Sequence, residues 1–102
     1  MNSLNSVLIE GILVMNPEYV GVGNTIISGA FTIASTRYLK KNNEVEKETR
    51  FFNIIMNGNL AVNMKKIIFI ENSVRVVGRL SQNEDGDIII IAEHIEIKNR
   101  GA

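Results

Sequence analysis

The chain of 102 residues has no cysteine and no tryptophan, one proline, one histidine, four phenylalanines and two tyrosines. Without cysteine there is no disulfide framework and no thiolate metal site. The lone histidine, His94, sits between Glu93 and Glu96 in a strand-like run, with no serine or cysteine nucleophile motif beside it. Glu93 and Glu96 fall on opposite faces of an extended chain, which makes them poor partners as acid and base. "GVGNTIISG" is rich in glycine, yet no lysine follows and the next residues read as strand, so it is not a phosphate loop. "NEDGD" lacks the length and the closing glutamate of a calcium loop. No enzymatic activity, cofactor or metal is expected.

Long apolar runs are also missing. The longest, within "DIIIIA" at 87–92, is far too short to span a bilayer, and "MNSLNSV" lacks the basic and apolar regions of a signal peptide. The expectation is a soluble cytoplasmic protein, associated with no membrane. Eleven basic and eleven acidic residues cancel. Any nucleic-acid partner must therefore meet a local positive potential, not a global one.

What is present is alternation. No linker or repeat interrupts residues 1–102, so one domain with one modest core is expected. "NSVLIEGILV" places Val7, Ile9, Gly11 and Leu13 on one face and Leu8, Glu10 and Ile12 on the other. Pro17 closes this first strand, and "VGVGNT" at 20–25 reads as turn. A second strand covers 26–39, with Phe31 and Ile33 on one face. "KKNNEVEKE" reads as a solvated hairpin loop, and the third strand starts near Arg50. Leu60, Met64, Ile67 and Ile68 then mark one face of a helix, with Asn57 or Asn59 as its N-cap. Strands four (73–81) and five (88–98) follow, the fourth with Val74, Val76, Gly78 and Leu80 inward and Arg75, Val77 and Arg79 outward. The order is all-β: a five-stranded OB-fold barrel, with one helix between strands 3 and 4.

The pair Phe51–Phe52 poses a question, because adjacent side chains of a strand cannot enter one core. Phe52, Ile54 and Met56 make a wholly apolar face; Phe51, Asn53, Ile55 and Asn57 make a mixed one. Phe51 is thus the outward ring. Arg37, Lys40, Lys41, Lys47 and Arg50 gather around the same hairpin, although Glu44, Glu46 and Glu48 dilute their charge.

"MNSLNSVLIEG", "NPEY", "FTIASTRYLKK", "FFNIIMNGNLA", "VRVVGRL" and "AEHIEI", taken in order, resemble the bacterial single-stranded DNA-binding protein family. The resemblance implies an OB-fold, usually a homotetramer, that binds single-stranded DNA without sequence preference in replication, recombination and repair. It implies that Phe51 occupies a base-stacking position. Tyr38 and Leu39 occupy two further positions where the family often has aromatic residues. Arg37, Lys40, Lys41, Lys47 and Arg50 are the basic residues expected beside them, with Asn53, Asn57 and Arg79 as further nucleic-acid contacts. Leu8, Glu10 and Ile12 are the expected subunit contact, with a dimer at least and a tetramer by family resemblance.

Departures from the family accompany these matches. Asn57 stands where an aromatic residue is usual, Asn59 replaces a frequent lysine, and Phe69 and Ile70 replace a basic pair. The turn "SQNEDGD" is short, and the sequence ends at "KNRGA" without the acidic tail through which the family recruits replication and repair partners. These departures bring in two other readings: a dimer similar to primosomal replication protein N that assists helicase loading, and a protein-interaction module with little DNA binding.

Overall fold

The computed structural model describes residues 1–98, so the closing Asn99–Ala102 of "KNRGA" lie outside the described residues. The elements run β1 (Val7–Leu13), β2 (Glu18–Val22), β3 (Thr25–Lys41), β4 (Glu44–Asn57), α1 (Gly58–Met64), β5 (Ser73–Gln82) and β6 (Ile88–Ile97). The strands are ordered β1-β5-β6-β4-β3-β2, and β1 also pairs with β3, which closes five of them into a barrel. β4 and β6 are parallel, joined at Ile54–Ile90 and Ile55–Ile91, whereas every other pairing is antiparallel. This is the OB-fold barrel expected from the order of elements. β2 is additional to it, an edge strand lying along the first half of β3.

Alternation builds the core. Leu13, Phe31, Ile33, Ile54, Met56, Val74, Val76 and Ile90 are buried inside the barrel, with Ala92 and Ile95. Each large side chain buried here contributes about 1.5–3 kcal/mol. β6 keeps two parities because Glu93 is a bulge: Val77 faces His94, while the next residue, Gly78, faces Ala92. The bulge leaves both Glu93 and Glu96 exposed, so a simple two-residue period does not describe their faces. α1 covers the barrel with buried Ala61 and the partly buried Leu60 and Met64. Asn57 is its N-cap in extended conformation but makes no side-chain cap bond.

Four local expectations change. "VGVGNT" is not all turn: Val20 to Val22 continue β2, and Tyr19 lies over Gly29, where a Cβ would meet its ring at 2.8 Å. "KKNNEVEKE" is no loop. β3 and β4 stay paired to Lys41–Glu44, and only Asn42 and Asn43 turn, with φ of 52° and 67°. Two positive φ values define the type I′ hairpin, which asparagine tolerates better than other side chains. Ile67 is exposed because the helix stops at Met64; Ile68 alone of the pair turns into the core. Leu80, inward by parity, is exposed at the β5 end, where Asn5 grips its backbone through Nδ2 to the carbonyl and Oδ1 from the amide, both at 2.9 Å.

Candidate nucleic-acid interface

β3 and β4 form a long ribbon that leaves the barrel after Ala34, where β3 crosses Gly11 so closely that a Cβ there would lie 2.7 Å from the Ala34 carbonyl. Residues directly opposite in an antiparallel pair share a face. The outer face therefore carries Ala30–Ile55, Thr32–Asn53, Ala34–Phe51, Thr36–Thr49, Tyr38–Lys47 and Lys40–Val45. The inner face carries Ser35–Arg50, Arg37–Glu48, Leu39–Glu46 and Lys41–Glu44. All three glutamates of the hairpin fall on the inner face.

The charge dilution foreseen from the sequence is thus confined to one side. Arg37, Lys41 and Arg50 each have a glutamate beside or opposite them, and Arg50 Nη2 lies 3.4 Å from Glu48 Oε2. Lys40 and Lys47 share the outer face with Tyr38 and Phe51, whose side chains are 69% and 64% exposed, and no acidic residue of the ribbon accompanies them. Phe51 and Tyr38 are separated by four residues along the ribbon, about 13 Å at strand rise.

The remaining candidates divide in the same way. Asn53 and Asn57 are exposed on the outer face of β4, and Thr32 Oγ1 donates to Asn53 Oδ1 at 2.9 Å. Leu39 is on the inner face, apart from the rings. Arg79 faces outward on β5 opposite Ile91, which in turn neighbours Ile55 of β4. Two strand spacings, about 10 Å, separate Arg79 from β4. Read from the sequence, Arg37, Lys40, Lys41, Lys47 and Arg50 form one basic hairpin; the pairing register divides them between its two faces.

A second surface lies on β1. Leu8 and Ile12 are exposed at 69% and 50%, flanking Glu10. Glu10 Oε2 accepts from Arg75 Nε at 2.8 Å and from Lys98 Nζ at 3.0 Å, and Arg75 also reaches Glu96 at 3.5 Å. The hydrogen bonds from Lys98 and then Arg75 hold the Glu10 carboxyl below its ordinary range. The ladder between β1 and β3 is confined to Ile12 and Leu13, so Val7 to Glu10 keep a strand edge without a partner among the described residues. Among those residues there is also no group of three or more metal-ligating side chains, and no helix long and apolar enough to cross a membrane.

Tyr19 was not singled out in the sequence as a functional residue. Its Oη is buried without a hydrogen-bond partner among the described residues, and Lys65 Nζ stands 5.6 Å from its ring centroid. Burial raises the phenol above its ordinary pKa. The contact joins positions 46 residues apart, so nothing local in the sequence signals it.

Comparison with known proteins bears on the fold and the family. The structure is similar to a small single-stranded DNA-binding protein from Streptomyces coelicolor, with TM-score 0.76 and 25% identity over 96% of both chains. It is also similar to the Plasmodium falciparum protein solved with single-stranded DNA, with TM-score 0.80, 17% identity and coverage of 97% of this chain and 98% of that one. For the second single-stranded DNA-binding protein of Mycobacterium smegmatis the TM-score is 0.74 and the identity 22%, over 91% of this chain and 87% of that one. The latter two likenesses attest to the fold alone. No curated protein sequence matches the chain. The model of the single-strand binding protein family matches residues 4–87, and the chain belongs to that family.

Proposed function

We propose that the protein binds single-stranded DNA, chiefly by stacking bases on Phe51 and Tyr38 while Lys40 and Lys47 neutralise the backbone, and that it does so in DNA replication, recombination and repair. The observation that carries this reading is the sorting of the ribbon: rings and lysines outward, glutamates inward. Stacking tolerates any base because every base has a π-face, at about 1–3 kcal/mol per base. The binding unit is a homo-oligomer built through Leu8, Glu10 and Ile12 of β1, a dimer at least and a tetramer in its full form. The site needs no metal or cofactor for this, and a cytoplasmic setting follows from the partner.

One observation favours a weaker, dimeric relative of this role, such as assistance to helicase loading: Asn57 is exposed on the outer face where a third ring would stand. Titration of fluorescent oligo-dT at several salt concentrations, with mass from light scattering, tests both. Salt-dependent binding by a tetramer supports the main reading, and weak binding by a dimer supports the second. Absence of binding at low salt overturns both in favour of a protein-interaction module.

A further inference from the structure

β4 runs into α1 through the only asparagine–glycine pair of the sequence, Asn57–Gly58. The backbone demands glycine at 58: its φ is +55°, where a side chain is strained. No atom lies within 4 Å of the place a Cβ would take, so the joint is open to water. The missing side chain also leaves the Gly58 nitrogen unshielded beside the Asn57 amide. As the first residue of α1, Gly58 has no acceptor for its N–H within the helix.

Asn57 is loose where other asparagines are tied. It is exposed, and its side chain makes no cap bond to α1. Asn5 and Asn72, each followed by serine, are held: Asn5 grips Leu80, and Asn72 Oδ1 accepts from the Phe69 amide at 2.7 Å. Asn53 Oδ1 accepts from Thr32, and Asn83 Oδ1 from the amides of Asp85 and Asp87. The extended backbone of Asn57, with φ −117° and ψ 150°, keeps the Gly58 nitrogen off the Asn57 side-chain carbon. Ring closure between them needs ψ to swing. Asn57–Ser28 is the last rung of the β3–β4 ladder, so the swing frays one pair and leaves the ribbon in register.

We propose that Asn57 is a site of spontaneous deamidation, whose conversion lays a carboxylate on the outer face of β4 and weakens binding of single-stranded DNA. The loss of affinity rests on the single-stranded DNA reading above; the reaction itself does not. The Gly58 nitrogen gives its proton to hydroxide and bonds to Asn57 Cγ. The Cγ–Nδ2 bond breaks, and the leaving nitrogen takes a proton from water and departs as ammonia. Water then opens the cyclic imide at either carbonyl, giving aspartate or isoaspartate. The net change is amide plus water to carboxylic acid plus ammonia, with nothing oxidised or reduced. Position gives the new charge its effect. Asn57 follows Phe51, Asn53 and Ile55 along the outer face, while Lys47 lies ten residues back, about 33 Å at strand rise. That exceeds the Debye length of about 8–10 Å, so the ribbon's lysines do not neutralise a carboxylate at 57.

The test is to incubate the folded full chain at mildly alkaline pH and map it by proteolysis and mass spectrometry, beside Asn57→Gln, whose imide needs a larger and slower ring. Asn57 is expected to convert ahead of every other asparagine, with the mass gain of an amide turned to an acid. The aged wild type is expected to lose oligo-dT affinity, while aged Asn57→Gln keeps the affinity it started with. Fresh Asn57→Asp is expected to bind oligo-dT about three- to fivefold more weakly than Asn57→Gln at low salt, with the gap closing as salt is raised. Aspartate caps a helix as well as asparagine does, and circular dichroism confirms that the barrel is retained. Conversion of Asn57 no faster than that of exposed Asn2 or Asn24 overturns the site. Equal affinities of Asn57→Asp and Asn57→Gln, with oligo-dT bound by the fresh wild type, overturn its effect on binding. Failure of the fresh wild type to bind oligo-dT overturns the DNA reading, and the peptide map still decides the reaction.

Discussion

Phe51 stands directly across the β3–β4 pair from Ala34, so a large ring of the outer row has one of the smallest side chains as its neighbour. The methyl group leaves the flank of the ring open, while Phe52, one residue on, turns to the core face opposite Ile33. A bulky residue opposite would cover the ring and make it part of the sheet surface. Phe51→Ala should weaken oligo-dT binding by about 1–3 kcal/mol with little change in melting temperature. Phe52→Ala should cost about 2–3 kcal/mol of folding stability, below a fully buried phenylalanine because Phe52 is only half-buried. Fluorescence titration and thermal melts separate the two, and reversed effects would invert the face assignment.

The ribbon's charge sorting sets the salt dependence. A single-strand binder loses affinity with a log–log slope of about 0.7 per phosphate neutralised, so Lys40 and Lys47 together account for about 1.4 per subunit. Lys40→Ala with Lys47→Ala should remove most of that slope. Arg37→Ala with Lys41→Ala, which touches only the face shared with the glutamates, should change it by less than half as much. Equal losses from the two double variants would mean that DNA embraces both faces of the ribbon.

Tyr19 offers a stability test away from this surface. Its buried hydroxyl without a partner loses hydration and gains no bond, so Tyr19→Phe should stabilise the protein by about 1 kcal/mol while keeping the ring under Lys65. The pH dependence follows from the raised phenol pKa. A group whose folded pKa is raised stabilises fully below its unfolded value, near 10, and loses that contribution as pH rises through the folded value. Wild type should therefore lose stability above pH 10 more steeply than Tyr19→Phe. Urea denaturation at pH 8 and at pH 10.5 checks both, and a less stable phenylalanine variant at pH 8 would show that the hydroxyl has a partner in solution.

The barrel was legible because alternation survives wherever a strand has one buried face: Val7 to Leu13, Phe31 to Ile33 and Phe52 to Met56 all follow it. It failed at particular places. The bulge at Glu93 shifts the period of β6, and Leu80 keeps the correct parity but stands where the barrel interior has ended. The Asn42–Asn43 turn is hidden because its flanks are charged on both faces, so hydrophobic pattern says nothing there and only the tolerance of asparagine for positive φ hints at it. The same gap hid how the ribbon's charges are sorted between its faces. Separating Lys40 and Lys47 from Glu44, Glu46 and Glu48 requires the cross-strand register, which a two-residue turn fixes and a loop of unknown length does not.

The last prediction concerns the β1 surface. Leu8 and Ile12 are exposed aliphatics on either side of Glu10, next to a strand edge that β3 leaves open from Val7 to Glu10. A monomer would present both the apolar pair and the free edge to water, an invitation to uncontrolled pairing. A two-fold copy of the same strand satisfies the edge and buries the aliphatic residues in one step. Glu10 does not oppose this, because Arg75 and Lys98 already hold its charge. Ile12→Lys should therefore lower the mass seen by sedimentation at micromolar concentration, since it inserts an unpartnered charge into an apolar contact. The gap in melting temperature between wild type and variant should narrow as both are diluted, because a folded assembly gains stability by mass action only where its concentration sustains it. A wild-type protein that sediments as a monomer at those concentrations would sink the proposed assembly.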